Sequence, residues 1–201
     1  LALVAAGTKT GPQEAGLILF HCAVREKVPN PFYEHVAVTL CARAPPFGKR
    51  FAHSLKRAAV QNLQQAHTYG LRATVALAEL CAAFIAIPDV RVPLSVIRFM
   101  RFGNVGDVSS GTGGSQLGNS AGLLLRHMGE SVLRRLADAE AAVSIFGGLR
   151  RYDDVREGML LVMDGLVKPK LPSRAGDPEL WQKFQAARKE LTVRAANLDD
   201  D

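Results

Sequence analysis

The stretch His21–Cys41, HCAVREKVPNPFYEHVAVTLC, constrains the fold more than any other part of the chain. Two apolar patterns of helical period meet at a break, Val28-Pro29-Asn30-Pro31. Asparagine is a favoured N-cap because its side-chain oxygen accepts from an otherwise unpaired amide. Proline is tolerated in the first helical turn, where a missing N–H costs little. Asn30-Pro31 therefore predicts a helix start. Phe32, Tyr33, Val36, Ala37, Leu40 and Cys41 follow at helical spacing as its core face. Two helices, a tight turn and aromatic filling make the unit of a stacked-helix scaffold, and the stretch carries no chemistry of its own.

The same reading extends along the chain. Gly7–Pro12 reads as a loop and Gln13–Arg25 as a helix with Leu17, Ile18, His21 and Val24 inward. Pro31–Ala42 is the second helix, ended by Ala44-Pro45-Pro46 because proline cannot continue it. The third runs from Phe47 to about Gln65. Gly70–Ile87 is apolar on every side, as a helix buried between others must be. Pro93–Phe102 reads as a short helix with Leu94, Ile97 and Met100 inward, and Gly103–Ser120 as a flexible Gly/Ser-rich insertion. Ala121–Leu136 and Asp138–Leu149 resume the helical pattern. Asp153–Val167 comes next, with Asp154 and Glu157 spaced like a capping box. Lys168–Pro172 is a linker, and Asp177-Pro178-Glu179 opens a last helix carrying Trp181, Phe184, Leu191 and Ala195. Asp199–Asp201 reads as a frayed end. No run alternates with period two. The expected fold is all-α, about nine helices in stacked antiparallel hairpins. Residues 1–170 are expected to form the stack, and 171–201 a linker and helix packing on it or extending it.

A chain of 201 residues can bury one sizeable core, and 48% hydrophobic with 22% charged residues is a globular composition. Leu1–Ala6 reads as the last turn of a helix begun upstream, so a longer parent protein is expected. The longest apolar stretch, Ala73–Pro88, contains Glu79 and is too short to span a membrane. No signal peptide is visible. Cys22, Cys41 and Cys81 are widely spaced on apolar faces, which points to buried, reduced thiols and an intracellular setting.

Most candidate chemistry fails on spacing. His21-Cys22 are adjacent, about 100° apart on a helix, and no C-x-x-C or H-E-x-x-H pattern supplies metal ligands. Gly111–Ser115 and Gly7–Gly11 lack the strand before and the G-K-[ST] ending of a phosphate loop. A Cys/His nucleophile pair would have to use Cys41 or Cys81 with His35 or His53, and a thiol inside an apolar helix is inert. Asp153-Asp154 stands where a helix must begin. No catalytic, cofactor or metal site is expected.

Charge is the exception. The net charge is +6, yet between Glu34 and Glu79 there is no acidic residue. That stretch holds Arg43, Lys49, Arg50, Lys56, Arg57 and Arg72, so the rest of the chain is neutral. On the third helix Lys49, Arg50, His53, Lys56 and Arg57 share an arc of roughly 120°, opposite Phe51, Leu55, Ala58 and Ala59. Solvated faces usually interleave acids at i±4, and this one has none. Arg43 lies beside it, and Arg98 and Arg101, three apart, are candidates to extend it. A broad basic face without exposed stacking aromatics suits RNA phosphates, with an acidic protein surface as the alternative.

Several of these elements together resemble the MA-3 domain of the nucleolar MIF4G-domain proteins, factors in small ribosomal subunit biogenesis. The resemblance rests on Cys22, Arg25-Glu26-Lys27, Asn30-Pro31-Phe32-Tyr33 and Leu40-Cys41. Pro93–Ile97 with Phe102, and Ile145-Phe146 followed by Val155-Arg156-Glu157-Gly158-Met159, add to it, so the likeness covers roughly residues 15–167. The 103–120 segment is longer than the family pattern, and no MIF4G domain accompanies it. The resemblance implies a HEAT-like, non-enzymatic scaffold in the nucleolus. It would bind pre-ribosomal particles and a DEAD-box RNA helicase of the initiation-factor 4A type, and use no cofactor, small-molecule substrate or membrane. Its alternative implication is a protein-only helicase adaptor in splicing or translation.

Overall fold

The computed structural model describes residues 11–90, 92–100, 114–173 and 175–193, with the backbone alone at 13 and across 114–120. It shows an all-α stack of helical hairpins, without a strand among the described residues. The α-helices are α1 Gly11–Arg25, α2 Phe32–Cys41, α3 Phe47–Gln64, α4 Leu71–Ala86, α5 Gly114–Arg135, α6 Ala139–Gly147, α7 Asp153–Val162 and α8 Pro178–Thr192. Turns of 3₁₀ helix at Ala66–Thr68, Leu94–Phe99 and Lys168–Lys170 join them, and α7 runs on through a π turn, Met163–Val167. No helix of the described residues is long and apolar enough to cross a membrane.

Helix α4 is the centre, buried at Leu77, Ala78, Cys81, Ala82, Ala83 and Phe84 and packed against α1, α2 and α5. Phe84 meets Phe20 of α1 edge to face, with centroids 5.6 Å apart. At the other end, α6 and α8 pack directly on each other and run the same way, and α7 runs back along α8. Polar contacts fix this order. Lys183 Nζ donates to Leu136 O, before α6, while Arg150, after α6, pairs with Glu190. In the opposite sense, Arg156 donates to Leu191 O and Arg188 to Asp164.

Asn30 and Asp177 cap where the sequence expects, and Asp138 adds a cap on α6. Asn30 Oδ1 accepts from Phe32 N at 3.0 Å, Asp138 Oδ1 from Ala141 N at 2.8 Å, and Asp177 Oδ1 from Leu180 N at 2.9 Å. The capping box at Asp154 and Glu157 does not form. Asp153 and Glu157 instead hold the buried Arg156 guanidinium, whose partner lies on α8.

Four other expectations are corrected. In α1, Leu17, Ile18 and His21 face outward, and Ala15, Leu19, Phe20, Ala23 and Val24 are buried. Gly16 sets this phase: a Cβ there would lie 2.3 Å from Ser54 Oγ, so only the Ala15-Gly16 face lets α1 settle on α3. Phe32 is 58% exposed while Tyr33 turns inward and donates to Glu26 Oε1 at 2.7 Å. A ring in the first turn of α2 lies beyond the packed layer. Cys81 is buried, but Cys22 and Cys41 are only half-buried, at the edges of their helices. Helix α5 begins at Gly114 rather than Ala121. Once Leu124, Leu125 and Met128 are packed, extending a helix backwards gains one hydrogen bond per residue without a new nucleation cost. The readings of Leu1–Ala6, 103–113, Ala195 and Asp199–Asp201 lie outside the described residues.

Gly16→Ala should destabilise the fold by about 1–3 kcal/mol, because backbone atoms of Ser54 and Leu55 stand at 3.0 and 3.1 Å behind the hydroxyl. Urea denaturation monitored by circular dichroism measures this, with an unchanged midpoint as the contrary result.

Candidate functional site

The basic face is built on α3. Phe51, Leu55, Ala58 and Ala59 are buried, and Lys49, Arg50, His53, Lys56 and Arg57 stand exposed on the opposite side. Its start is pinned from behind. A Cβ on Gly48 would lie 2.3 Å from Cys41 O and 2.5 Å from Arg43 O, so only glycine lets α3 begin directly on the end of α2. Arg43 lies in the intervening turn with its guanidinium 5.2 Å from the Phe47 ring centroid, which holds a sixth positive or protonatable side chain at the same end of the helix.

Electrostatics sets this face apart. None of Arg43, Lys49, Arg50, Lys56 or Arg57 forms an ion pair among the described residues. Elsewhere Arg134, Arg135, Arg150, Arg156, Lys183 and Arg188 are paired, and the other unpaired cations, such as Arg25, Arg72, Arg151 and Lys189, are scattered over separate elements rather than gathered on one helix face. The first turn of α3 has no acid and no side-chain cap, and instead carries Lys49 and Arg50. Cations there oppose the helix dipole, at roughly 0.3–1 kcal/mol each. An uncompensated breach of a local rule is where function is expected to reside.

The two outlying arginines do not simply enlarge this face. Arg98 lies on the Leu94–Phe99 turn, which packs on α3, but its guanidinium sits between two rings, 4.5 Å from Phe99 and 4.7 Å from Tyr152. It ties that turn to the start of α7. Arg101 lies outside the described residues.

Two features had no signal in the sequence. A groove of about 540 Å³ opens beside the C-terminal end of α4, lined by Ile85, Ile87, Val92, Leu94, Leu136 and Ile145. Around Arg135 lies a polar clamp: it binds Glu34 of α2 through both carboxylate oxygens, at 2.8 and 2.9 Å. It also approaches Glu79 of α4 at 3.6 Å. Ser131 Oγ donates to Glu79 at 2.7 Å and accepts from Arg135 Nε at 3.2 Å. A pocket of about 410 Å³ brings Glu79, Ser131 and His127 together. No nucleophile–base pair results, since the serine proton is directed to Glu79 and His127 Nε2 lies 2.8 Å from an Arg126 nitrogen. Among the described residues no three His, Cys, Asp or Glu side chains could hold a metal ion together.

Cys41 and Cys81 are equally quiet. Burial pushes Cys81 up to about 12, and burial followed by the charge of Asp89 lifts Cys41 to about 11. Burial, then the hydrogen bond to Glu26, raises Tyr33 to about 12.

Neither models of protein families, nor curated proteins, nor solved structures give a significant match to this chain.

Cys81 and Tyr33 ionise less readily folded than unfolded. Their stabilising contribution is complete below the free-thiol value of 9.0 and is lost as the pH rises towards 12. Thermal melts should therefore show a falling midpoint across that alkaline window and a flat one just below it. A thiol reagent at about pH 8 should leave Cys81 unmodified until denaturant is added, because the thiolate is the reacting form.

Proposed function

We propose that this chain is a non-catalytic, MA-3-like scaffold domain of a nucleolar small ribosomal subunit biogenesis factor, and that α3 docks it on pre-ribosomal RNA. The observation that carries the reading is the unpaired, acid-free face Lys49, Arg50, His53, Lys56 and Arg57, with Arg43 at its end. Phosphate contacts of this kind position a protein on RNA without reading sequence. The family likeness supports the nucleolar setting and a DEAD-box helicase as a second partner. Asn30, Pro31, Phe32 and Tyr33, which carry that likeness, serve as cap, helix start and ring packing rather than as contacts.

The apolar groove at the end of α4 favours a second reading, a protein-only adaptor of an initiation-factor-4A-like helicase in splicing or translation. Recovery of a helicase from RNase-treated extract, with a location in speckles or cytosol, would favour it.

Charge reversal separates working surface from scaffold. Lys49→Glu with Arg50→Glu should raise thermal stability, by roughly 0.3–1 kcal/mol per site, since acids suit a helix N-terminus. Reversing Lys49, Arg50, Lys56 and Arg57 together should release the protein from pre-ribosomal particles in a sucrose gradient. Retention of that variant on particles at moderate salt would sink the RNA-docking reading.

A further inference from the structure

We infer that the α3 face is shaped for the backbone of an A-form RNA duplex, with phosphates taken by its cations and ribose 2′-hydroxyls by an amide tier at its far end. The inference rests on the RNA-docking reading above and gives it a ligand class.

Three observations point this way. The first is the absence of a stacking platform among the described residues. Single strands are held largely by bases stacked on exposed aromatic rings. Beside α3, Phe51 is buried, Phe47 is half-buried beneath Arg43, and Tyr69 is half-buried with its hydroxyl on Asn62. Phe99 and Tyr152 are occupied by Arg98, and the exposed Phe32 lies at the opposite end of α2 from Arg43.

The second is a regular spacing along one helix. Lys49 and Arg50 form one tier and Lys56 and Arg57 the next, about 10.5 Å along the axis, with His53 between them. Cations anchored at a regular spacing along one helix are best matched by phosphates that recur at a regular spacing themselves. A duplex also carries twice the charge per unit length of one of its strands.

The third is a pair of amides beyond the cations. Gln61 and Gln64 continue nearly the same arc, are exposed, and make no side-chain hydrogen bond among the described residues. An amide both donates and accepts, as does a 2′-hydroxyl, and the wide minor groove of an A-form helix displays those hydroxyls beside its phosphates. From Lys49 to Gln64 the face is about 22 Å long.

The test uses the whole 201-residue chain and four fluorescent probes: an RNA duplex of about 20 base pairs, the DNA duplex of the same sequence, an oligouridine of equal length, and poly-glutamate. Anisotropy should rank the RNA duplex first, roughly tenfold tighter than the DNA duplex or the single strand. With four phosphates engaged, the association constant should fall with salt on a log–log slope of about −3.6. Gln61→Ala with Gln64→Ala should bring RNA-duplex affinity down to the DNA-duplex level at an unchanged slope. Lys56→Glu with Arg57→Glu should weaken both duplexes and flatten the slope.

Oligouridine bound as tightly as the RNA duplex overturns the duplex inference and leaves RNA docking intact. Equal affinity for the two duplexes, or an inert double glutamine variant, overturns the hydroxyl-reading tier. Binding to poly-glutamate alone overturns both this inference and the RNA-docking reading.

Discussion

The burial of α4 between its neighbours is the constraint from which the other helices take their places. Its sequence mixes small and large residues, so Ala78, Ala82 and Ala83 let neighbours approach closely while Leu77, Cys81 and Phe84 fill the spaces between them. A helix apolar on every side must be covered by several partners, and α1, α2 and α5 each supply one. Glu79, the one acid on α4, would be costly there if unpaired. Ser131 and Arg135 satisfy it, and the same arginine reaches Glu34, so covering α4 also fixes how α2 meets α5.

Around this core two groups of cations contrast most sharply. Arg156 and Lys183 are buried and end on backbone carbonyls of a neighbouring helix or turn, Leu191 O and Leu136 O, where their task is to hold α6, α7 and α8 in order. Lys49, Arg50, Lys56 and Arg57 find no acid among the described residues, and the first two oppose the dipole of their own helix. Residue type does not distinguish the groups; the presence or absence of a partner does.

How far the sequence foretells the structure depends on the range of the interaction involved. Caps at Asn30 and Asp177, and the opposed faces of α3, arise within one or two turns and are legible from spacing alone. The phase of α1 is not, because Leu17 and Ile18 satisfy a helical period as well as Leu19 and Phe20 do. What decides is the close approach of Gly16 to Ser54, on another helix. Asp153 and Glu157 likewise present the spacing of a local motif and are drawn instead to Arg156, whose own position depends on α8. The apolar groove is a gap between separate segments, so no single window of sequence encodes it. The basic face was legible because it needs only one helix and an absence of acids.

The Glu34–Arg135 bond joins residues 101 positions apart, whereas α6, α7 and α8 make their polar ties over 24 to 47 positions. Loop closure grows costlier with length, though slowly, so during folding the three C-terminal helices can assemble before α2 is drawn against α5. The clamp therefore ties the N-terminal hairpin to the helix that leads into the C-terminal three, with Glu79 of α4 as the stepping stone between its two ends.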